Sequence, residues 1–186
     1  WKDKPILIEQ LKKWDKNKRQ SKTYIPSIHD KIKFNINYYL SQVANHFDFN
    51  TALVLDSDDL GTSMILKASG FDENRIHIPN YLNKETEYSI MKKRMKNIAV
   101  FPISVDDYAD AYIESSSTRS FRLTLKEAYD NTKYYTKPRL KDPLPQRPEA
   151  FDFIYLDYCG EYDTNKKTIQ KLFRNNVFAD EFVFAL

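Results

Sequence analysis

The feature that most constrains this chain is a series of short apolar runs, rich in β-branched and aromatic residues and alternating with segments of helical periodicity. The first run is Thr51-Ala-Leu-Val-Leu-Asp56. It is too short for a helix and apolar on both faces, so it reads as a strand buried on both sides and ending in an acid. Arg75-Ile-His-Ile-Pro79 and Ile98-Ala-Val-Phe-Pro-Ile103 repeat the pattern, Phe151-Asp-Phe-Ile-Tyr-Leu156 gives a fourth strand, and Glu181 to Leu186 opens a fifth. Residues 62–69, 84–96 and 164–175 read as helices between them, with Gly70 placed to end the first. Strands alternating with helices predict an α/β fold: one sheet of mutually parallel strands, the first strand central, with helices on both faces.

Ahead of the first strand, Ile36, Tyr39, Leu40, Val43 and Phe47 recur at helical spacing from Ile32 to about Asn50, which predicts an amphipathic helix packing that face on a core. Residues 1–35 hold ten Lys or Arg against four acids. Residues 1–50 are therefore expected to form a basic N-terminal helical segment ahead of a domain over 51–186. An insertion at 115–150 breaks the rhythm, with a helical stretch near Leu123 to Tyr129 and a loop holding Pro138, Pro143, Pro145 and Pro148. Its eight bases also outnumber its four acids. Two basic regions in a chain of net charge +3 point to a polyanionic partner or to solvated basic faces.

Composition removes several classes. With 41% hydrophobic and 15% aromatic residues, 186 residues suffice for a buried core, and the moderate net charge does not resemble disorder. Cys159 is the only cysteine, which excludes an internal disulfide and a Cys-rich zinc site and fits a reducing compartment. His29, His46 and His77 lack metal-ligand spacing, so no metal is expected. No run reaches the roughly 18 apolar residues that span a bilayer, so a soluble, intracellular protein with no membrane partner is expected. Because the chain begins at Trp1 and stops at Leu186 inside an apolar run, native residues are expected beyond both ends.

Leu53-Val-Leu-Asp-Ser-Asp-Asp-Leu-Gly-Thr-Ser63 begins a resemblance to the class I S-adenosylmethionine-dependent methyltransferases. In that family the first strand ends in an acid, and a Gly-rich loop wraps the methionine part of the cofactor. Asp56 matches the acid and Gly61 the close approach, with Ser57 and Thr62 beside them, whereas Asp58, Leu60 and Thr62 replace the other expected glycines. Asn80, after the second strand, stands where the family places a ribose-binding acid. Asp106 in Ser104-Val-Asp-Asp107 stands near the adenine position, although these acids serve equally well as helix caps at Asp107 or Asp110. Phe151-Asp-Phe-Ile-Tyr-Leu-Asp-Tyr-Cys-Gly160 looks like the family's fourth motif, a strand delivering Asp157 into the catalytic loop.

The resemblance covers residues 51–186 in order and spacing. It implies a Rossmann-like three-layer sandwich with a mostly parallel sheet, truncated after the fifth of seven strands or completed by a protein partner. It also implies S-adenosylmethionine as cofactor and transfer of its methyl group to a base amino group of DNA or RNA. In that scheme Asp157 accepts from the amino group, and Tyr158 stacks on the base or walls the core. Cys159 fits a nucleophile poorly, since RNA cytosine-C5 enzymes carry a proline before theirs. Two other functions stay open. The altered motifs suit a catalytically inactive methyltransferase-like scaffold in a larger assembly. More remotely, Asp56-Ser-Asp58 resembles the aspartate pair of haloacid-dehalogenase-like phosphatases, with Ser104 and Asp157 in plausible order, although Leu60 departs from that family's pattern.

Overall fold

Five strands form one sheet in which every pairing is parallel: β1 (Ala52–Leu55), β2 (Ile76–Pro79), β3 (Ala99–Phe101), β4 (Phe151–Leu156) and β5 (Phe178–Ala185). Their spatial order is β3-β2-β1-β4-β5, with β1 central as expected. The helices are α1 (Ile28–His46), α2 (Gly61–Ala68), α3 (Glu85–Arg94), α4 (Val105–Glu114), α5 (Phe121–Asn131) and α6 (Tyr162–Arg174), with a 3-10 turn at Glu73–Arg75. The computed structural model describes residues 28–57, 59–80, 85–115, 120–131, 146–157 and 162–186. No described helix is long and apolar enough to cross a membrane.

The pleat divides the buried side chains between two cores. Ala52, Val54, Ile76, Ile78, Val100, Phe153 and Tyr155 face one layer, where Leu66 of α2 and Tyr88 and Met91 of α3 meet them. Leu53, Phe101, Ile154 and Leu156 face the other, covered by Tyr108 and Tyr112 of α4, Phe121 and Leu125 of α5 and Leu172 of α6. The result is a Rossmann-like three-layer sandwich. α2 ends through Ser69 into Gly70, whose φ of 107° favours a residue without a Cβ.

Helix α1 corrects the expectation drawn from its periodicity. Ile36, Tyr39, Val43 and Phe47 are exposed, while Asn37, Ser41 and Ala44 are buried. Ala44 joins the α2–α3 core, and Leu40 packs against it in part. The buried positions are spaced i, i+4 and i+7 and carry small or hydrogen-bonding side chains, which lets the helix lie close to its neighbours. The Ser41 hydroxyl donates to the Tyr38 carbonyl at 2.7 Å, and Asn37 is bonded to α2.

Two further elements differ from expectation. β5 begins at Phe178, ahead of Glu181, and its pairing with β4 shifts register between Phe151 and Phe153. Its rings gather with α6: Phe173 and Phe178 have centroids 4.4 Å apart, as do Phe178 and Phe182. Residues 105–114 form a full helix after β3, capped by Ser104, whose side chain accepts from the Asp107 N–H at 3.0 Å. The cap is therefore Ser104, and Asp106 and Asp107 occupy the first turn, where negative charge favours the helix dipole.

Candidate functional site

In open α/β sheets ligands bind outside the carboxyl ends of the strands, where the strand order reverses. Here that point lies between β1 and β4. Leu55 is in register with Leu156, so Asp56 and Asp157 leave the sheet as neighbours.

Asp56 is 3% exposed, and its carboxylate turns back on the chain that follows. Oδ1 accepts from the Ser57 N–H at 3.1 Å, and Oδ2 accepts from the Ser63 N–H and hydroxyl at 2.8 and 2.9 Å. The first N–H groups of a helix lack partners within it, so Asp56 fastens the start of α2 to the end of β1. Asn80 follows β2, and its Nδ2 donates to the Asp56 carbonyl while its own N–H donates to the Phe101 carbonyl at 2.9 Å. That geometry leaves the Asn80 amide oxygen to accept from a ligand hydroxyl. Ser57 is exposed, with its hydroxyl donating to Asp59.

The left-handed turn of this loop falls on Leu60, not on a glycine. Its φ and ψ are 55° and 37°, and its side chain is fully buried in the α2–α3 core. Gly61 is the first residue of α2 and is buried. A left-handed conformation costs a branched residue about 1–2 kcal/mol, whereas removing a buried leucine side chain costs about 2–5 kcal/mol. Burial wins. Leu60→Gly is therefore expected to destabilise the protein by about 1–3 kcal/mol in urea denaturation despite relieving the backbone. A more stable variant would show that strain dominates there.

Thr62 faces away from the edge: it is 2% exposed, and its hydroxyl accepts from Asn37 Nδ2 at 3.0 Å. The Asn37 Oδ1 is buried and has no hydrogen-bond partner among the described residues. Asp106 faces α6, where Thr168 and Lys171 donate to its Oδ1 at 3.0 and 2.7 Å. Lys171 also pairs with Asp110 at 2.8 Å; partial burial works against its charge, but the two carboxylates outweigh that and raise its pKa.

The structure thus brings Asp56, Ser57, Gly61, Asn80 and Asp157 to one edge, turns Thr62 toward α1 and commits Asp106 to a helix–helix contact. Asp58, Tyr158, Cys159 and Gly160 lie outside the described residues, as do Arg119, Lys133, Lys137, Arg139 and Lys141 of the basic insertion. Asn37 escaped the sequence reading, because it sits on a helix whose apolar stripe points the other way. Leu60 was marked only as the replacement of an expected glycine, and that lost glycine was the signal for the left-handed turn.

Among the described residues no group of three or more His, Cys, Asp or Glu side chains is arranged to hold a metal ion. α2 opens at Gly61, so only residues 57–60 separate Asp56 from the helix, too few for the insertion that follows the first strand of haloacid-dehalogenase-like phosphatases. Compared with known proteins, the chain matches no family model, no curated protein and no solved structure at a significant level.

Proposed function

We propose that the chain carries the cofactor half of an S-adenosylmethionine-dependent methyltransferase acting on a base amino group of nucleic acid. The observation that carries this is the reversal of strand order between β1 and β4, which sets Asp56 and Asp157 side by side at the carboxyl edge, with Asn80 clipped to the end of β1. The donor set fits the cofactor in part. Ser57 and the Asn80 amide oxygen can meet its hydroxyl and amino groups, and buried Gly61 gives the close backbone approach. Asp56 and Thr62 act behind them, holding the loop through Ser63 and Asn37. Asp106 reaches the adenine only by leaving Lys171.

S-adenosylmethionine supplies, when bound, a methyl group on a sulfonium centre. The protein aligns the acceptor nitrogen with it and excludes water. Asp157 accepts a hydrogen bond from the amino group, or its proton, as the nitrogen takes the methyl. Tyr158 offers a face for the base.

Calorimetry with S-adenosylmethionine on the intact protein tests this directly, with binding near micromolar, about −8 kcal/mol, expected. Gly61→Val is expected to weaken that binding about tenfold or more, because a β-branched residue obstructs close approach. Unchanged affinity in the folded variant would remove Gly61 from the site. A specific observation favours a second function: Asp56, Thr62 and Asp106 are all bonded within the fold. Absence of cofactor binding by the folded protein would support an inactive scaffold module.

A further inference from the structure

A cavity of about 610 Å3 opens at the opposite edge of the sheet. Thr51, Arg75 and Ala150, which line it, immediately precede β1, β2 and β4, so it lies at the amino ends of the strands, away from Asp56 and Asp157. Its volume falls within the range of small-molecule sites, roughly 300–1,000 Å3.

Its lining carries two guanidinium groups against one carboxylate. Arg75 and Arg147 both line it, and among the described residues neither makes an ion pair. Arg75 is exposed and gives one of its donors to the Asn50 side chain. Arg147 is held in place: Nε donates to the Tyr112 carbonyl at 3.1 Å, and the guanidinium carbon lies 3.8 Å from the centre of the Tyr112 ring. Tyr112 is itself tied to this segment by its hydroxyl, which donates to the Glu149 carbonyl. Glu149 brings the one carboxylate among the lining residues. Nearby Asp152 interacts with Arg75 through its charge, while its two oxygens accept from the Asn50 and Thr51 N–H groups at 2.9 Å each.

The rest of the lining is polar and neutral. The side chains of Asn50, Asn74 and Gln146 offer donors and acceptors, and buried His77 closes the floor with its Nδ1 engaged by the Tyr108 hydroxyl. A pre-positioned guanidinium and a second one lining the same cavity suit a dianionic group better than a single carboxylate. The surrounding amides suit the polar atoms of a larger molecule attached to it. We propose that this amino-edge cavity binds a phosphate-bearing small molecule of nucleotide size through Arg75 and Arg147.

Calorimetry of the intact protein with ADP, with inorganic phosphate and with a short single-stranded oligonucleotide tests the assignment and separates a free nucleotide from backbone phosphate. Saturable ADP binding is expected, weakened about tenfold or more by Arg75→Gln and unchanged by Gly61→Val. Arg75 is exposed, so its substitution should not disturb folding, whereas Arg147→Gln removes packing on Tyr112 and needs a thermal melt beside it. Three results would overturn the proposal. One is no saturable binding of ADP or phosphate by the folded protein. Another is ADP binding that Gly61→Val removes and Arg75→Gln leaves intact, which would place it in the carboxyl-edge crevice. The last is Arg75-dependent binding of the oligonucleotide without binding of ADP.

Discussion

Between about pH 7.5 and about pH 4.5 the protein is expected to lose about 2–3 kcal/mol of stability through His77 alone. The side chain is 2% exposed, among the rings of Phe101, Tyr108 and Phe151, and Nδ1 lies 2.6 Å from the Tyr108 hydroxyl. Burial pushes its pKa from 6.5 down to about 3. It also pushes that of Tyr108 up, so this pair is neutral throughout the physiological range. Between those two pH values the unfolded chain binds a proton that the folded protein refuses. Stability therefore rises with pH across that window and falls as pH drops from about 6.5, by up to about 1.4 kcal/mol per unit. Against a total stability of roughly 5–15 kcal/mol, such a loss moves the denaturation midpoint visibly. The double variant His77→Phe with Tyr108→Phe removes both polar partners, so neither is orphaned. Its urea midpoint should fall less steeply with pH than that of the parent. Equal slopes would mean that His77 is protonated in the folded protein.

Under the proposed function, Asp157→Ala is expected to reduce methyl transfer by about 100- to 10,000-fold while leaving nucleic-acid binding nearly intact, since a positioned acid–base group contributes on that scale. Asp157 sits one residue beyond β4, partly buried, and packs no core position. A thermal melt beside the activity assay separates a loss of chemistry from a loss of folding. Arg139→Glu in the basic insertion should do the reverse, mainly weakening binding and flattening its salt dependence, because fewer counterions are released. Radiolabelled methyl transfer and filter binding, measured on both variants, separate the two roles. Loss of binding in both, or no methylation of DNA or RNA by the intact protein with its natural partners, would leave the scaffold function standing.

The sheet was legible in the sequence because buried parallel strands are written as continuous apolar runs. Val54, Ile78, Val100 and Ile154 need no partner information to be recognised as interior. The position of Asp56 and Asp157 at strand ends followed from the same runs. What those carboxylates touch did not. The bond from Ser63 to Asp56 depends on where α2 begins, and that depends on Leu60 taking a conformation its side chain disfavours for the sake of a buried place in the core. The orientation of α1 was misread for a related reason. Its periodicity identifies an apolar face, but the narrow face of Asn37, Ser41 and Ala44 is the one that is buried, with Asn37 bonded to α2, so proximity and local hydrogen bonds outweighed hydrophobicity. The start of helix α4 was misplaced because Asp107 and Asp110 offered themselves as caps beside the ligand role of Asp106, whereas Ser104 is the residue that starts the helix.

The central position of β1 also sets an order of events during folding. On one side it pairs with β2, whose Ile76 meets Ala52 after a single short crossover. On the other it pairs with β4, and the partner of Ala52 is Phe153, about a hundred residues later. Closing that long loop costs entropy before any contact repays it, so the β1-β2-β3 half is set to assemble first. During synthesis the β4-facing edge of β1 must wait until the whole insertion has left the ribosome. Over that interval the β4-facing edge of β1 presents open backbone, the kind of edge that pairs wrongly if the chain meets another strand first.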